Sequence, residues 1–484
     1  MIKYRIVLKF LSFLLMFNGG FMLLTLPVAW YHREAVTAGM VTACLITLAI
    51  GAIGFLLTRS ASGKDMRKRE GFLVVALGWF SMSVFGCLPY LLTGSIDGVT
   101  NAFFETVSGY TTTGATILDD IESMPKSILL WRSLTQWIGG MGIIVLAVAI
   151  LPILGISSVQ LFSAEAPGLR PDKITPRIAD TAKRLWLIYL SLTLVQATLL
   201  TTAGMSIYDA INHSLTTIST GGFSTYQASI AHFDSPLIEY IITFFMFLGG
   251  TNFILIYWLL KGRFTKLWEN EEYRFYVSGL SAFIIIVTIA LSVQGNYGIE
   301  ESFRKGAFQV VSLMTTTGYA TADYTAWGSG LTMFAFLLLF AGGSSGSTAG
   351  GVKMIRHLIL FKNGAAELRR QMHPSAVIPI RVNNHSLASE LTSAVLAFIM
   401  FYIIVFALGS ILLAAMGIDF DTAIGAVATS LGNVGPGIAE VGPNYTFNFL
   451  PTAAKWELAL LMVIGRLELF TVILLFTPHF WRLD

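Results

Sequence analysis

The chain has 484 residues, 55% of them hydrophobic and only 12% charged, about half the charged share of an ordinary soluble domain. With a mean hydropathy of +0.70 and a net charge of only +3, the composition excludes a soluble globule and gives no reason to expect nucleic acid as a partner. It is the composition of a chain that crosses a lipid bilayer many times.

At the start, Lys3, Arg5 and Lys9 precede an apolar run from about residue 10 to residue 30. That run is longer than a signal-peptide core and no small-residue cleavage site follows, so it reads as a first membrane helix. A spanning helix needs about 20 apolar residues. Ten segments qualify, at roughly 7–31, 36–58, 71–93, 128–154, 184–204, 236–260, 275–295, 327–350, 390–416 and 455–479. The stretches 1–10, 59–70, 152–184, 261–274 and 351–390, together with Arg482, hold 24 of the 31 Lys and Arg. They fall on alternate sides of the ten spans. The excess of basic residues on cytoplasmic loops therefore places them, and both termini, in the cytoplasm.

Four apolar segments are too short to cross: about 100–113, 207–220, 303–317 and 420–432. Each leads into a glycine turn on the outer side, Thr111–Thr116, Ser219–Ser224, Thr315–Ala320 and Gly432–Gly437. Non-helical backbone at membrane depth persists only where protein buries it or where it lines a wet cavity. Taking Gly114, Gly222, Gly318 and Gly435 as zero, position −12 is always small (Ala102, Ala210, Gly306, Ala423) and position −11 always apolar (Phe103, Ile211, Ala307, Ile424). This is an internal repeat. The expected fold is an all-α polytopic membrane protein with four parallel membrane–pore–membrane repeats around one central pore, in pseudo-four-fold arrangement. An N-terminal two-helix hairpin at 1–62 precedes repeats at 63–175, 176–266, 267–375 and 376–484.

Glycine lets carbonyl groups approach a ligand closely, and four sets of carbonyls around an axis can replace the hydration shell of a monovalent cation. The C-terminal ends of the short helices add partial negative charge. No turn carries the carboxylate that Mg2+ or Ca2+ would want. The candidate ion ligands are Thr112, Thr113 and Gly114; Thr220, Gly221 and Gly222; Thr316, Thr317 and Gly318; and Asn433, Val434 and Gly435. Asp119, Asp120, Glu122 and Asp323 lie just outside, either as solvated loop charges or as a cation-concentrating rim.

These turns resemble those of the Trk/Ktr/HKT superfamily of potassium transporters, above all its bacterial TrkH/TrkG branch. The stretches TTTGAT (111–116), STGGFS (219–224), TTTGYA (315–320) and GNVGPG (432–437) carry the resemblance. So do QWIGGMGIIVLAVAILPILG (136–155), GGSSGSTAGGVKMIR (342–356) and GRLELF (465–470). It implies potassium (K+) as the transported ion, a multi-pass subunit in the bacterial inner membrane, a homodimer, and a cytosolic ring of a nucleotide-binding TrkA-like regulatory subunit. The turns differ from one another, and Ser219-Thr220-Gly221 stands where the branch usually has Ala-Ile-Gly. A less selective Na+/K+ pathway, and a passive pore as against H+ or Na+ symport, stay open.

Two features lie on the inner side. Gly342, Gly343, Ser344, Ser345, Gly346, Ser347, Thr348, Gly350 and Gly351 sit in a run too rich in glycine for a helix. The eighth span should break there into a loop able to obstruct a pore, and the resemblance implies a gating loop. Arg466 sits in the last span, where a charge by default faces the bundle interior with a functional role; at the pore it would be an electrostatic barrier to cations. Glu468, two residues on, is poorly placed to pair with it on one helix. Arg132 and Gln136 read as packing or loop anchors, and Gly139-Gly140-Gly142 and Gly249-Gly250 as close helix contacts. A small-solute transporter with a midplane site is the weaker alternative. An intramembrane enzyme lacks its HExxH, aspartate pair or Ser/His set.

Overall fold

The structure is a computed structural model that describes residues 3–61, 68–140, 142, 178–295 and 297–482. The inner part of the expected fourth span and most of the loop at 152–184 lie outside the described residues. The first helices, Tyr4–Leu23 and Thr37–Leu57, pack on each other as a hairpin, and Lys68–Gly86 packs on the first of them.

The rest is one motif used repeatedly. A long helix is followed by a short one and then by a second, shorter span. The short helices are Val99–Tyr110, Ile207–Ile218, Ile299–Met314 and Phe420–Gly432. The preceding long helices are Lys68–Gly86, Ile178–Thr202, Glu271–Gln294 and Ser389–Ala415. The second spans begin at Lys126, Pro236, Ser329 and Thr452. Each short helix packs between the two spans of its own unit. Sequence starts these helices plainly. Ser206 caps the second by accepting a hydrogen bond from the Asp209 N–H at 3.1 Å, and Asp419 caps the fourth through the Thr422 N–H at 3.0 Å. Such caps each stabilise a helix by about 1 kcal/mol. The hydroxyl and N–H of Thr422 also hold the Asp419 carboxyl below the ordinary carboxylate range.

Two second spans depart from the straight helices expected, and a third breaks where its glycine-rich run predicted. The span at 236–260 is two helices, Pro236–Gly249 and Phe253–Leu260, meeting at 108°; that at 452–476 breaks after Arg466 and turns by 111°. The helix Ser329–Leu338 ends well before residue 350, and Ala341 and Val352 pair across the loop that follows. The causes are local. Asn252 restarts the helix by accepting from the Ile254 N–H at 2.8 Å. Glu468 and Leu469 take left-handed angles, φ +58° and +47°, which no helix continues through. Six described helices are long and apolar enough to span alone, or up to eight if each bent pair is one span.

Candidate functional site

All four short helices end in the same way. The N–H of the residue at −1 donates to the carbonyl at −6: Thr113 to Ser108 (2.9 Å), Gly221 to Thr216 (2.8 Å), Thr317 to Ser312 (2.8 Å) and Val434 to Thr429 (3.0 Å). The N–H at −2 donates to the carbonyl at −5 in each. This is the Schellman arrangement, which requires a left-handed residue at −2, normally glycine. Here that residue is Thr112, Thr220, Thr316 or Asn433, with φ between +53° and +56°. Asparagine tolerates the conformation; a β-branched threonine is an outlier there, at a cost of about 1–2 kcal/mol each. Such strain persists only where the surroundings over-determine the backbone, and it clusters at functional sites.

The turns then close into a ring. A Cβ built on Gly114 would lie 2.3 Å from the carbonyl oxygen of Gly221. On Gly222 it would lie 1.9 Å from that of Thr317, on Gly318 2.0 Å from that of Val434, and on Gly435 2.7 Å from that of Thr113. Each zero-position glycine thus abuts the −1 carbonyl of the next turn, and the fourth turn abuts the first. These glycines also have φ between +77° and +104°. Geometry and collision both demand glycine at the one position common to all four turns. The carbonyls of Thr113, Thr317 and Val434 accept no hydrogen bond from any described group. Buried carbonyls are seldom left so. Outside the ring opens a vestibule lined by residues of all four turns.

Side chains behind the ring hold it. In the first and third turns the hydroxyls at −3 and −1 bond each other, Thr111 with Thr113 and Thr315 with Thr317, both at 2.8 Å. The Asn433 amide donates to Thr113 Oγ1 at 3.0 Å and to the Met462 carbonyl at 2.9 Å. A second brace comes from position −9. Glu105 accepts from the Ile117 N–H (3.0 Å) and Thr116 Oγ1 (3.0 Å), His213 bonds Ser224 Oγ (3.0 Å), and Gln309 donates to the Ala322 carbonyl (3.2 Å). The fourth turn has Ala426 there.

Glu105 is also ion-paired with Arg132, Oε1 to Nε 2.6 Å, with both side chains buried. Arg132 in turn donates to the Ser224 carbonyl at 2.9 Å and stacks on Phe223 at 3.6 Å. Removing one partner of such a pair leaves the other charged and dry, which costs about 3–5 kcal/mol. Glu105→Ala should therefore lower the unfolding free energy by about that amount in detergent denaturation, and a loss under ~1 kcal/mol would show that the pair does not hold this corner. Gln136 spans the second turn: its Nε2 donates to the Gly221 carbonyl (2.6 Å) and its Oε1 accepts from the Phe223 N–H (3.0 Å).

Away from the vestibule, the 342–351 loop is pressed against the ring and densely bonded. The Ser344 and Thr348 N–H groups donate to the carbonyls of Gly250 and Gly249 (2.9 and 3.2 Å). The Thr348 hydroxyl donates to the Ile218 carbonyl (2.8 Å). The Gly350 N–H donates to Thr316 Oγ1 (2.7 Å). Buried Glu272 accepts from the Ser345 N–H at 2.6 Å. Arg466 joins loop and ring: Nη1 donates to Thr112 Oγ1 (2.9 Å) and the Thr348 carbonyl (2.8 Å), Nη2 to the carbonyls of Gly139 (2.7 Å) and Gly140 (3.1 Å). Glu468 pairs instead with Arg356, which lies 3.8 Å over Phe398.

The structure brings the twelve expected ion-ligand residues together in one ring, with the glycine-rich run and Arg466 next to it. Asp119 and Asp323 tie outer loops together through Asn448 (2.6 Å) and Asn444 (3.1 Å), and Glu122 accepts from the Gln227 N–H (2.9 Å). The first glycines of the pairs, Gly139 and Gly249, make close helix contacts as expected, each at the C-terminal end of a short helix. Gly139 lies against the Tyr110 carbonyl, Gly249 against that of Ile218 and Gly465 against that of Leu431, each the last residue or last but one of a short helix. In sequence, Gly465-Arg466 stands where the other second spans have Gly139-Gly140, Gly249-Gly250 and Gly342-Gly343. The braces were missed, although the polar run Glu105, His213, Gln309 at a constant offset, and the hydroxyl residues Ser108, Thr216, Ser312 and Thr429 at −6, are visible in the sequence.

The family described as "TrkH: Cation transport protein" matches residues 36–483. The chain is 42% identical over 483 residues to the Trk system potassium uptake protein TrkH of Escherichia coli K12, covering 99% of each. It is 36% identical over 481 residues to that organism's TrkG, again covering 99% of each. Among solved structures, the crystal structure of the potassium transporter TrkH from Vibrio parahaemolyticus superposes with a TM-score of 0.90 at 38% identity, covering 99% of this chain and 100% of that one. The chain belongs to the TrkH family of cation transport proteins.

Proposed function

We propose that this chain is the ion-translocating subunit of a Trk-type potassium uptake system, a gated, channel-like path driven by the ion gradient. The observation that carries the reading is the closed ring of four turns, in which each glycine abuts the −1 carbonyl of the next turn and three of the four carbonyls accept no hydrogen bond from any described group. Such carbonyls are ready replacements for the water around a dehydrated K+. In this reading the ligands are Thr112, Thr113 and Gly114, Thr220, Gly221 and Gly222, Thr316, Thr317 and Gly318, and Asn433, Val434 and Gly435. The loop at 342–351 is the gate and Arg466 the barrier beneath the ring. The repeats run 63–175, 176–266, 267–375 and 376–484, after the hairpin at 1–62. The subunit sits in the bacterial inner membrane with both termini cytoplasmic. It pairs as a homodimer, and the basic stretch 353–381 offers a face to a TrkA-like nucleotide-binding ring.

A less selective Na+/K+ pathway is the second reading, favoured by the chemical unevenness of the ring, with Gly221 and Val434 at positions where the other turns have threonine. Expression in a potassium-uptake-deficient strain separates the two. Growth at micromolar K+, with little 22Na+ entry, is expected. No rescue despite membrane-inserted protein refutes the reading, and equal Na+ entry selects the second.

A further inference from the structure

The second turn lacks the internal brace of the first and third. Where Thr111–Thr113 and Thr315–Thr317 bond hydroxyl to hydroxyl, its −1 residue is Gly221, which has no side chain to bond with. Its support comes from another repeat. Gln136, fully buried, holds the turn at both ends of one amide, donating to the Gly221 carbonyl and accepting from the Phe223 N–H. The fit leaves no slack: a Cβ on Gly221 would lie 2.4 Å from Gln136 Cδ. Counting back three residues from the first paired glycine, the other second spans have Met246, Leu339 and Met462 at this position. Only the unit facing a −1 glycine carries an amide there.

We propose that Gln136 is a specificity-determining positioning residue: it fixes the Gly221 carbonyl at the radius of its three counterparts and so keeps the ring from closing around a smaller cation. The inference rests on the potassium-uptake reading of the ring. A carbonyl held at fixed radius fits K+ and cannot follow the shorter coordination distance of Na+. Without the amide the Gly221 carbonyl accepts no hydrogen bond from any described group, and it is free to move inward.

The test uses full-length protein in proteoliposomes, with 86Rb+ and 22Na+ uptake measured side by side. Gln136→Met places there the residue of the second and fourth repeats. Gln136→Glu keeps the size and removes the donor. Both are expected to lower the Rb+/Na+ uptake ratio at least about threefold while Rb+ uptake itself persists. Gly221→Thr added to Gln136→Met restores a hydroxyl at −1 and should recover part of the ratio. A smaller fall in either single variant, or a rise, overturns the proposal. If Gln136→Met does not fold, the near-isosteric Glu variant decides. Failure of the wild-type protein to take up Rb+ would instead refute the potassium reading itself.

Discussion

Gly222→Ala is expected to abolish potassium uptake, by about a hundredfold or more, with the protein still inserted in the membrane. The added methyl would sit 1.9 Å from the Thr317 carbonyl oxygen and 3.0 Å from its carbon. Both are backbone atoms, so no side-chain rotation relieves the clash, and the second or third turn must shift outward. The left-handed angle at Gly222, φ +77°, adds about 1–2 kcal/mol of strain for alanine. A hundredfold loss corresponds to about 2.7 kcal/mol at the ion's barrier, a small demand on a ring whose ligand is displaced. Gly204→Ala is the control. It has the same kind of backbone, φ +102°, with nothing within 4 Å of its Cβ, and should leave uptake within about threefold of wild type. Tracer uptake normalised to membrane protein measures both. Comparable losses in the two variants would mean that strain, and not ring geometry, governs the outcome.

Arg466→Ala should act in the opposite sense and raise resting flux about tenfold or more. Its guanidinium lies between the ring and the 342–351 loop, bonded to Thr112 and to the Thr348 carbonyl. Two obstacles leave together. A positive charge roughly 7 Å from a passing cation, at an effective dielectric of about 20, opposes it by about 2.4 kcal/mol. The loop also loses its tie to the fourth repeat. Arg466→Lys separates the two, since lysine keeps the charge but not the forked donor geometry; its flux should fall between wild type and alanine. Efflux from K+-loaded proteoliposomes reads all three. Unchanged or lower efflux from Arg466→Ala, at normal membrane levels, would leave the arginine as a purely structural tie.

Much of this was legible in the sequence because it is carried by composition and by offsets. The four short helices lie within a few residues of their expected places, and the one constant glycine per turn marked the ring. What stayed hidden depends on backbone angles. Nothing in threonine announces a left-handed residue, so the shared ending at Thr112, Thr220 and Thr316 could not be read. The breaks at Gly250–Asn252 and after Arg466 lie inside apolar stretches of spanning length, and counting apolar residues cannot see a bend. Gln136 could be read as a packing residue or a loop anchor, but which loop it holds could not, because its partner, Gly221, is 85 positions away.

The order of contacts around the ring has a consequence for how the protein is made. Each turn is completed by the one that follows it in the chain, and the last by the first. While the ribosome has yet to deliver residues 420–466, Gly318 has no Val434 carbonyl against it and Thr113 has no Gly435 to abut. A nascent chain of three repeats therefore holds no closed ring. The final repeat carries both the closing quarter of the ring and the arginine bonded to it, so the two are completed in one step.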